Sequence, residues 1–188
     1  MTRRPLREEG FTLIEVMVSV AVLSVVMTAL TAFFIRTTAV TNQQRAMQVA
    51  VQLAADGSER VRAIKGNELG NGRGQCTATT CSNPNAGLTL PLNRRWDAPT
   101  NTKPRLLPLS DSPQVNGVTY QRYWYLMKCW QAANNGTCGN NSTDEVEFFR
   151  AIIAVTWADS HCKGRECSYT TATLVSTAAG EPLYPGTP

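Results

Sequence analysis

The feature that most constrains this chain of 188 residues is an apolar block near its N-terminus. Residues 11–35 contain one charged side chain, that of Glu15, and the twenty residues 16–35 contain none. At a helical rise of about 1.5 Å per residue, such a stretch covers the ~30 Å hydrocarbon core of a bilayer. A chain this short supplies too little core to bury a helix that is apolar on all sides. The block therefore predicts a helix that spans a membrane.

The basic residues before the block predict its orientation. Arg3, Arg4 and Arg7 lie on its N-terminal side, so the positive-inside rule places the N-terminus in the cytoplasm and the later residues outside. A cleaved secretory signal is the alternative. Its apolar core is about 7–15 residues long and ends at a small-residue cleavage site, which does not describe this block.

Glu15 requires an explanation, because a carboxylate within a membrane helix is costly and usually functional. The sequence offers no cation between Glu15 and Arg36. A cut after Gly10 would create one, since the free amine of Phe11 would lie one helical turn before Glu15 on the same face. A carboxylate that merely reaches the lipid headgroups is the alternative interpretation.

The string Gly10-Phe11-Thr12-Leu13-Ile14-Glu15, with a basic leader before it and an apolar helix after it, resembles the leader of type IV pilins and type II secretion pseudopilins. The resemblance implies that a prepilin peptidase removes residues 1–10, cutting between Gly10 and Phe11, and then N-methylates Phe11. It also implies that Glu15 pairs with the N-terminal amine of a neighbouring subunit during filament assembly.

The helix is predicted to continue beyond the membrane. No proline occurs between Pro5 and Pro84, whereas many major pilins carry a helix-breaking proline in the apolar half. Residues 11–64 are predicted as one helix that ends near Gly66, with a bend or fraying at Asp56-Gly57. Its apolar face beyond the membrane is predicted to consist of Val40, Met47, Val51, Ala54, Val61 and Ile64.

A sheet is predicted after the helix. Residues 65–117 are rich in loops, with short strand candidates at 88–92 and 106–109. Residues 118–130, 146–157 and 168–178 are β-branched and aromatic-rich, and predict an antiparallel meander with a fourth strand from the earlier region. Residues 179–188 are predicted to form a tail. The resemblance implies an α+β, type IV pilin-like fold, in which a long N-terminal helical spine packs on a C-terminal antiparallel β-sheet head.

Six cysteines follow the helix, on the side that the topology places in an oxidising periplasm. They permit 15 pairings, which sequence alone does not resolve. Because each neighbouring pair brackets a turn, we expect neighbour pairing. A zinc site that includes His161 is the alternative, but the cysteine spacing fits poorly. The expected pairs are Cys76 with Cys81, Cys129 with Cys138, and Cys162 with Cys167.

The sequence predicts no catalytic residues, metal or cofactor. The single histidine, His161, stands beside a cysteine expected to be in a disulfide, and no phosphate loop or nucleophile motif occurs. Aromatic residues could form a binding face on the first long strand, but an alternation of core and solvent positions is the better interpretation. These residues are Tyr120, Tyr123, Trp124, Tyr125 and Trp130.

The resemblance implies a minor pilin rather than a filament-forming major pilin. The expected partners are the prepilin peptidase, other minor and major pilins, a large tip adhesin, and the inner membrane before assembly. A net charge of +4 without a basic run does not favour nucleic acid.

Three alternatives remain open. They are a type II secretion pseudopilin, an uncleaved membrane-anchored protein, and a DNA-binding minor pilin of a competence pilus. The last would use Arg94, Arg95, Trp96, Lys103 and Arg105.

Overall fold

The computed structural model describes residues 12–131 and 146–177. Gly10, Phe11 and Cys138, like the predicted leader and tail, lie outside the described residues. The chain divides into two compact units, one up to Arg45 and one from Ala46 onward.

The main helix, α1, runs from Leu13 to Arg62 without interruption. In the first unit its apolar side chains are exposed, as in Leu13, Val25 and Phe34. By length and composition, this helix is apolar enough to cross a membrane. The structure thus has the single apolar N-terminal helix that the sequence predicts.

The apolar part of α1 also carries serines and threonines whose hydroxyls are satisfied within the helix. Ser24 Oγ donates to the carbonyl oxygen of Val20 at 2.6 Å, and Ser19, Thr28, Thr31, Thr37 and Thr41 donate in the same i to i−4 manner. Lipid offers no partners for hydroxyl groups, so this internal bonding suits a helix surrounded by hydrocarbon.

The end of α1 differs from the prediction. The helix ends at Arg62, and Gly66 opens a short 3₁₀ turn, Gly66–Glu68, instead of capping the helix. A side chain at Gly66 would overlap the carbonyl oxygen of Ser176. The glycine is therefore required by a close approach of two backbones, not by a left-handed cap conformation.

Among the described residues the head contains seven strands, and its main sheet is antiparallel. The order is β3-β5-β6-β7, and β4 also pairs with β5. Strands β1 and β2 form a separate two-stranded sheet. The strands are β1 Arg73–Gly74, β2 Ala98–Pro99, β3 Ser110–Asp111, β4 Gln114–Val115, β5 Val118–Gln131, β6 Val146–Ala158 and β7 Glu166–Ser176. The predicted α+β class, with a long helix on an antiparallel sheet, is confirmed.

The packed face of α1 in the head is made of small residues. Ala50, Ala54, Gly57 and Val61 are buried against the sheet, while Met47 and Val51 are 44% and 40% exposed. The predicted face was therefore wrong at Met47 and Val51. Small residues let the helix approach the sheet closely, and Trp124 of β5 fills the space that larger helix residues would occupy.

The opposite face of the sheet is covered by a loop. Leu88 and Leu90 pack on Tyr125, Met127 and Ile152. The short strands predicted at residues 88–92 and 106–109 are not formed. Leu88 and Leu90 cover the sheet and Leu107 lies in the core, whereas Leu92 and Leu106 are exposed.

Candidate functional site

Glu15 lies in the first turn of α1, where its backbone N–H donates to the carbonyl oxygen of Thr12 at 3.0 Å. It is exposed, and so are the apolar residues that surround it on the helix. Among the described residues, no cation forms an ion pair with Glu15. The carboxylate is thus presented on an otherwise uncharged, apolar surface.

A buried arginine joins the helix to the sheet in the head. The Arg122 side chain is 2% exposed and donates to Asp111 of β3 through both Nε, at 2.9 Å, and Nη2, at 2.6 Å. Its Nη1 donates to the α1 residue Asp56 at 2.5 Å and to the carbonyl oxygen of Leu53 at 2.8 Å. The guanidinium also lies over the Trp124 ring, 4.6 Å from its centroid.

This junction affects the titration of Asp56. Its hydrogen bond from Arg122 holds the pKa of the Asp56 carboxyl below its usual value, with a further contribution from the charge of Arg60. Arg60 approaches both Asp56 and Asp111, at 3.2 Å and 3.6 Å. The junction therefore contains two cations and two carboxylates, and its formal charge is balanced.

Gly57 makes the close approach of helix and sheet possible. The Trp124 Nε1 atom donates to its carbonyl oxygen at 3.1 Å. A Cβ atom at this position would lie 2.9 Å from Cγ2 of Ile153. The fraying predicted at Asp56-Gly57 is therefore wrong, because the glycine is held in the packed interface instead of weakening an exposed helix.

A second buried ionic cluster lies under the loops of the head. Asp97 Oδ1 accepts from Arg73 Nη1 at 2.6 Å, and Oδ2 accepts from Arg95 Nε at 2.7 Å. The side chains of Arg73, Arg95 and Asp97 are 0%, 5% and 3% exposed. Burial lowers the pKa of Arg73 to about 10, so Arg73 stays charged at neutral pH.

Disulfides hold two loops of the head. Cys76 is joined to Cys81 and Cys162 to Cys167, each with its neighbour in sequence. No cysteine among the described residues is free. The expected partner of Cys129 lies outside them. The two bonds close short loops that contain little apolar packing of their own.

The basic and aromatic residues suggested for DNA binding do not form one exposed patch. Arg95 is buried with Asp97, and Trp96 is half-buried with the Lys128 ammonium 4.9 Å from its ring centroid. Lys103 and Arg105 are exposed, and Arg94 is half-buried. The Arg95 side chain is thus directed into the head and is not available to an external ligand at the surface of this set.

The aromatic residues of β5 alternate between the two faces of the sheet. Tyr120 and Trp124 are buried towards α1, whereas Tyr125 is buried under the covering loop and stacks on Tyr123 with 6.1 Å between ring centroids. Trp130 is half-buried. The alternation between faces follows the period of a strand, as predicted, but the face predicted to meet solvent is instead covered by the loop.

The surroundings of His161 do not form a metal site. Its Nδ1 lies 2.8 Å from Asp159 Oδ1, and the neighbouring Cys162 is in a disulfide. The backbone N–H and the ring of His161 bond to Asp159 and hold the pKa of that carboxyl below its usual value. Within residues 12–131 and 146–177, no three histidine, cysteine or acidic side chains gather as metal ligands.

Comparison with known proteins identifies the N-terminal part of the chain. Residues 6–31 match the model of the prokaryotic N-terminal methylation motif. No curated protein and no solved structure shows significant similarity to the chain. The matched motif is the leader of type IV pilin-like proteins, and it implies processing by a prepilin peptidase, anchoring in the membrane and assembly with other pilins. With the apolar helix and the antiparallel head, the motif supports a type IV pilin-like protein.

Proposed function

We propose that this protein is a minor type IV pilin that primes pilus assembly in an initiation or tip complex with other minor pilins. The prepilin peptidase cuts between Gly10 and Phe11, and Phe11 is then N-methylated. The protein is held in the inner membrane with its head in the periplasm until it enters the pilus on the cell surface. Its loss is expected to affect pilus number, adhesion and twitching motility.

The observation that carries this proposal is the position of Glu15. Glu15 lies within the matched motif, residues 6–31, on an exposed turn of a helix that is otherwise uncharged as far as Arg36. A free amine at Phe11 of a neighbouring subunit would neutralise it in an apolar surrounding, where an unpaired charge is costly. Glu15 therefore selects a correctly processed neighbour during assembly.

The remainder of the chain supports a low-abundance role. The head resembles that of minor pilins described as type IV pilus modification proteins. The helix α1 lacks the proline that many major pilins carry, and it is continuous through its apolar half. The loops between α1 and β5 are fixed by a disulfide and a buried ionic cluster, which makes them a stable surface for contacts with other minor pilins or a large adhesin.

The test is genetic and uses three forms of the protein. A strain without the gene is complemented with the wild-type chain, with Glu15→Val, or with Glu59→Gln as the control. Glu59 is exposed on the same helix but lies in the head, outside the apolar block. Surface pili are counted by electron microscopy, and leader removal is followed by the mass of the protein.

We expect few pili in the deletion strain, and restored pilus number with the wild type and Glu59→Gln. Glu15→Val should lose its leader normally and fail to restore pili, because the pairing site is absent. Normal pilus number in the deletion strain would contradict the proposal. Loss of protein secretion with unchanged pili would assign the chain to a type II secretion system instead.

A further inference from the structure

The buried cluster of Arg73, Arg95 and Asp97 has an excess of positive charge. Two guanidinium groups share one carboxylate, and all three side chains are at most 5% exposed. The junction around Arg122, by contrast, sets two arginines against two aspartates. A buried net charge is costly unless a counter-charge is supplied.

The hydrogen bonds around Asp97 leave a donor on Arg95 unused. Both Asp97 oxygens are occupied, since Oδ1 also accepts from the backbone N–H of Leu126 at 3.0 Å. Arg95 uses Nε for Asp97 and Nη1 for the carbonyl oxygen of Ser82 at 2.7 Å. In the part of the chain that the structure describes, Nη2 of Arg95 makes no hydrogen bond.

Arg73 does not remove this imbalance. Its Nη1 also donates to the carbonyl oxygen of Trp124 at 3.2 Å, and its Nη2 donates to those of Leu107 and Pro108 at 3.1 and 2.8 Å, while its buried Nε makes no hydrogen bond among the described residues. These carbonyls satisfy hydrogen bonds but carry no formal charge. Arg105 acts on Arg73 as a further cation.

A half-open cavity of about 240 Å³ lies next to Arg95. Its charged lining residues are Arg95 and the already neutralised Asp97. Hydroxyl and amide side chains provide most of the remaining polar lining, and tyrosine rings form an aromatic wall. The lining includes Thr80, Ser82, Asn83, Asn85, Ser110, Tyr123 and Tyr125.

We propose that this cavity binds the carboxylate of an acidic sugar, with Arg95 as the group that recognises the charge. A planar guanidinium suits a carboxylate, and the hydroxyl and amide groups suit the many hydroxyls of a sugar ring. The volume is below the ~300–1,000 Å³ of pockets for drug-sized ligands, which fits one or two rings. The Cys76–Cys81 bond fixes the loop that provides Thr80 and Ser82.

The geometry favours a sugar over an acidic peptide. The polar lining consists of short side chains in a compact, half-open cavity, and an extended backbone needs a groove or a sheet edge along which to bond. Binding of an acidic sugar would be a function in addition to the proposed role in pilus assembly. Binding can be measured without an assembled pilus, so failure of one proposal leaves the other standing.

The experiment uses the full chain purified in detergent. Binding of sodium glucuronate, glucose, acetate and a short glutamate-containing peptide is measured by isothermal titration calorimetry. We expect glucuronate to bind about tenfold more tightly than any of the other three. Equal binding of glucose and glucuronate, or tighter binding of acetate or the peptide, would overturn the proposal.

Two matched variants locate the site. Arg95→Gln should weaken glucuronate binding about tenfold, whereas Arg62→Gln removes the same charge from an exposed helix position outside the cavity and should leave it unchanged. Equal loss in both variants would overturn the proposal. Should Arg95→Gln not fold, Asn83→Ala replaces it, because Asn83 is an exposed lining residue. Unchanged affinity in Asn83→Ala would then overturn the assignment to this cavity.

Discussion

Replacement of Gly57 by alanine tests how closely the helix packs on the sheet. In an exposed helix interior, this change stabilises a protein by about 1 kcal/mol. At Gly57 the new methyl group would lie 2.9 Å from Ile153 Cγ2 and 3.3 Å from Trp124 Nε1. Carbon atoms pack best at about 3.5–4.0 Å, so the helix or the sheet must move by several tenths of an ångström.

The two effects on the free energy of unfolding oppose each other. Overpacking of a core costs about 1–3 kcal/mol, and the displacement also lengthens the 3.1 Å hydrogen bond from Trp124 to Gly57. The cost exceeds the helix-propensity gain, so we expect Gly57→Ala to destabilise the head by about 1 kcal/mol. For a domain of this size, that corresponds to a melting temperature lower by about 2–4 °C.

The assay is urea unfolding of the full chain in detergent, followed by tryptophan fluorescence. Ala55→Gly is the control, because Ala55 is exposed on the same helix two residues earlier. That change should cost about 1 kcal/mol from helix propensity alone. Stabilisation of about 1 kcal/mol by Gly57→Ala would refute the reasoning, since Gly57 would then behave as an ordinary exposed helix glycine.

Three further predictions concern the stability of the head. The native pKa of Asp56 is below its unfolded value, so its contribution to the free energy of unfolding is complete above about pH 4 and is lost as the pH falls through the native pKa. In urea unfolding at several pH values, Asp56→Asn should therefore flatten the decline in stability at acid pH, whereas Glu59→Gln should not. Arg122→Leu should cost about 1–2 kcal/mol, because the hydrogen bonds to Asp56, Asp111 and the carbonyl oxygen of Leu53 are lost while both carboxylates remain partly exposed beside Arg60, and unchanged stability on equilibrium unfolding would contradict this. Replacing the Cys76–Cys81 disulfide by two alanines should cost about 2 kcal/mol by the same measurement, and unchanged stability would show that the loop is held by other contacts.

Local sequence patterns are sufficient to predict the features at the N-terminal end of the chain. The apolar block, the glycine at position 10 and the single acidic residue at position 15 stand next to one another in the sequence, and the matched motif covers residues 6–31. The three long strands were also predictable, because β-branched and aromatic residues are concentrated in them. Their meander follows because strands that are consecutive in sequence tend to lie side by side in a sheet.

The contacts of the head could not be predicted in this way. Arg95 was grouped with neighbouring basic residues, yet it is buried because the loop brings it to Asp97 and, beyond it, to Arg73. Gly57 was expected to weaken the helix, since local propensity does not show that Trp124 and Ile153 lie against it. The burial of Arg95 and the packing of Gly57 both depend on contacts that only the folded chain creates.

The most direct test of the central claim is the mass of the mature N-terminus, measured on protein purified from membranes and from sheared pili. We predict a chain that begins at N-methylated Phe11 and lacks residues 1–10, in both fractions. A mutant without prepilin peptidase should retain those residues and contain no protein in the pilus fraction. A chain that begins at or near Met1 in wild-type membranes, with Phe11 unmodified, would contradict the claim that this protein is a processed pilin.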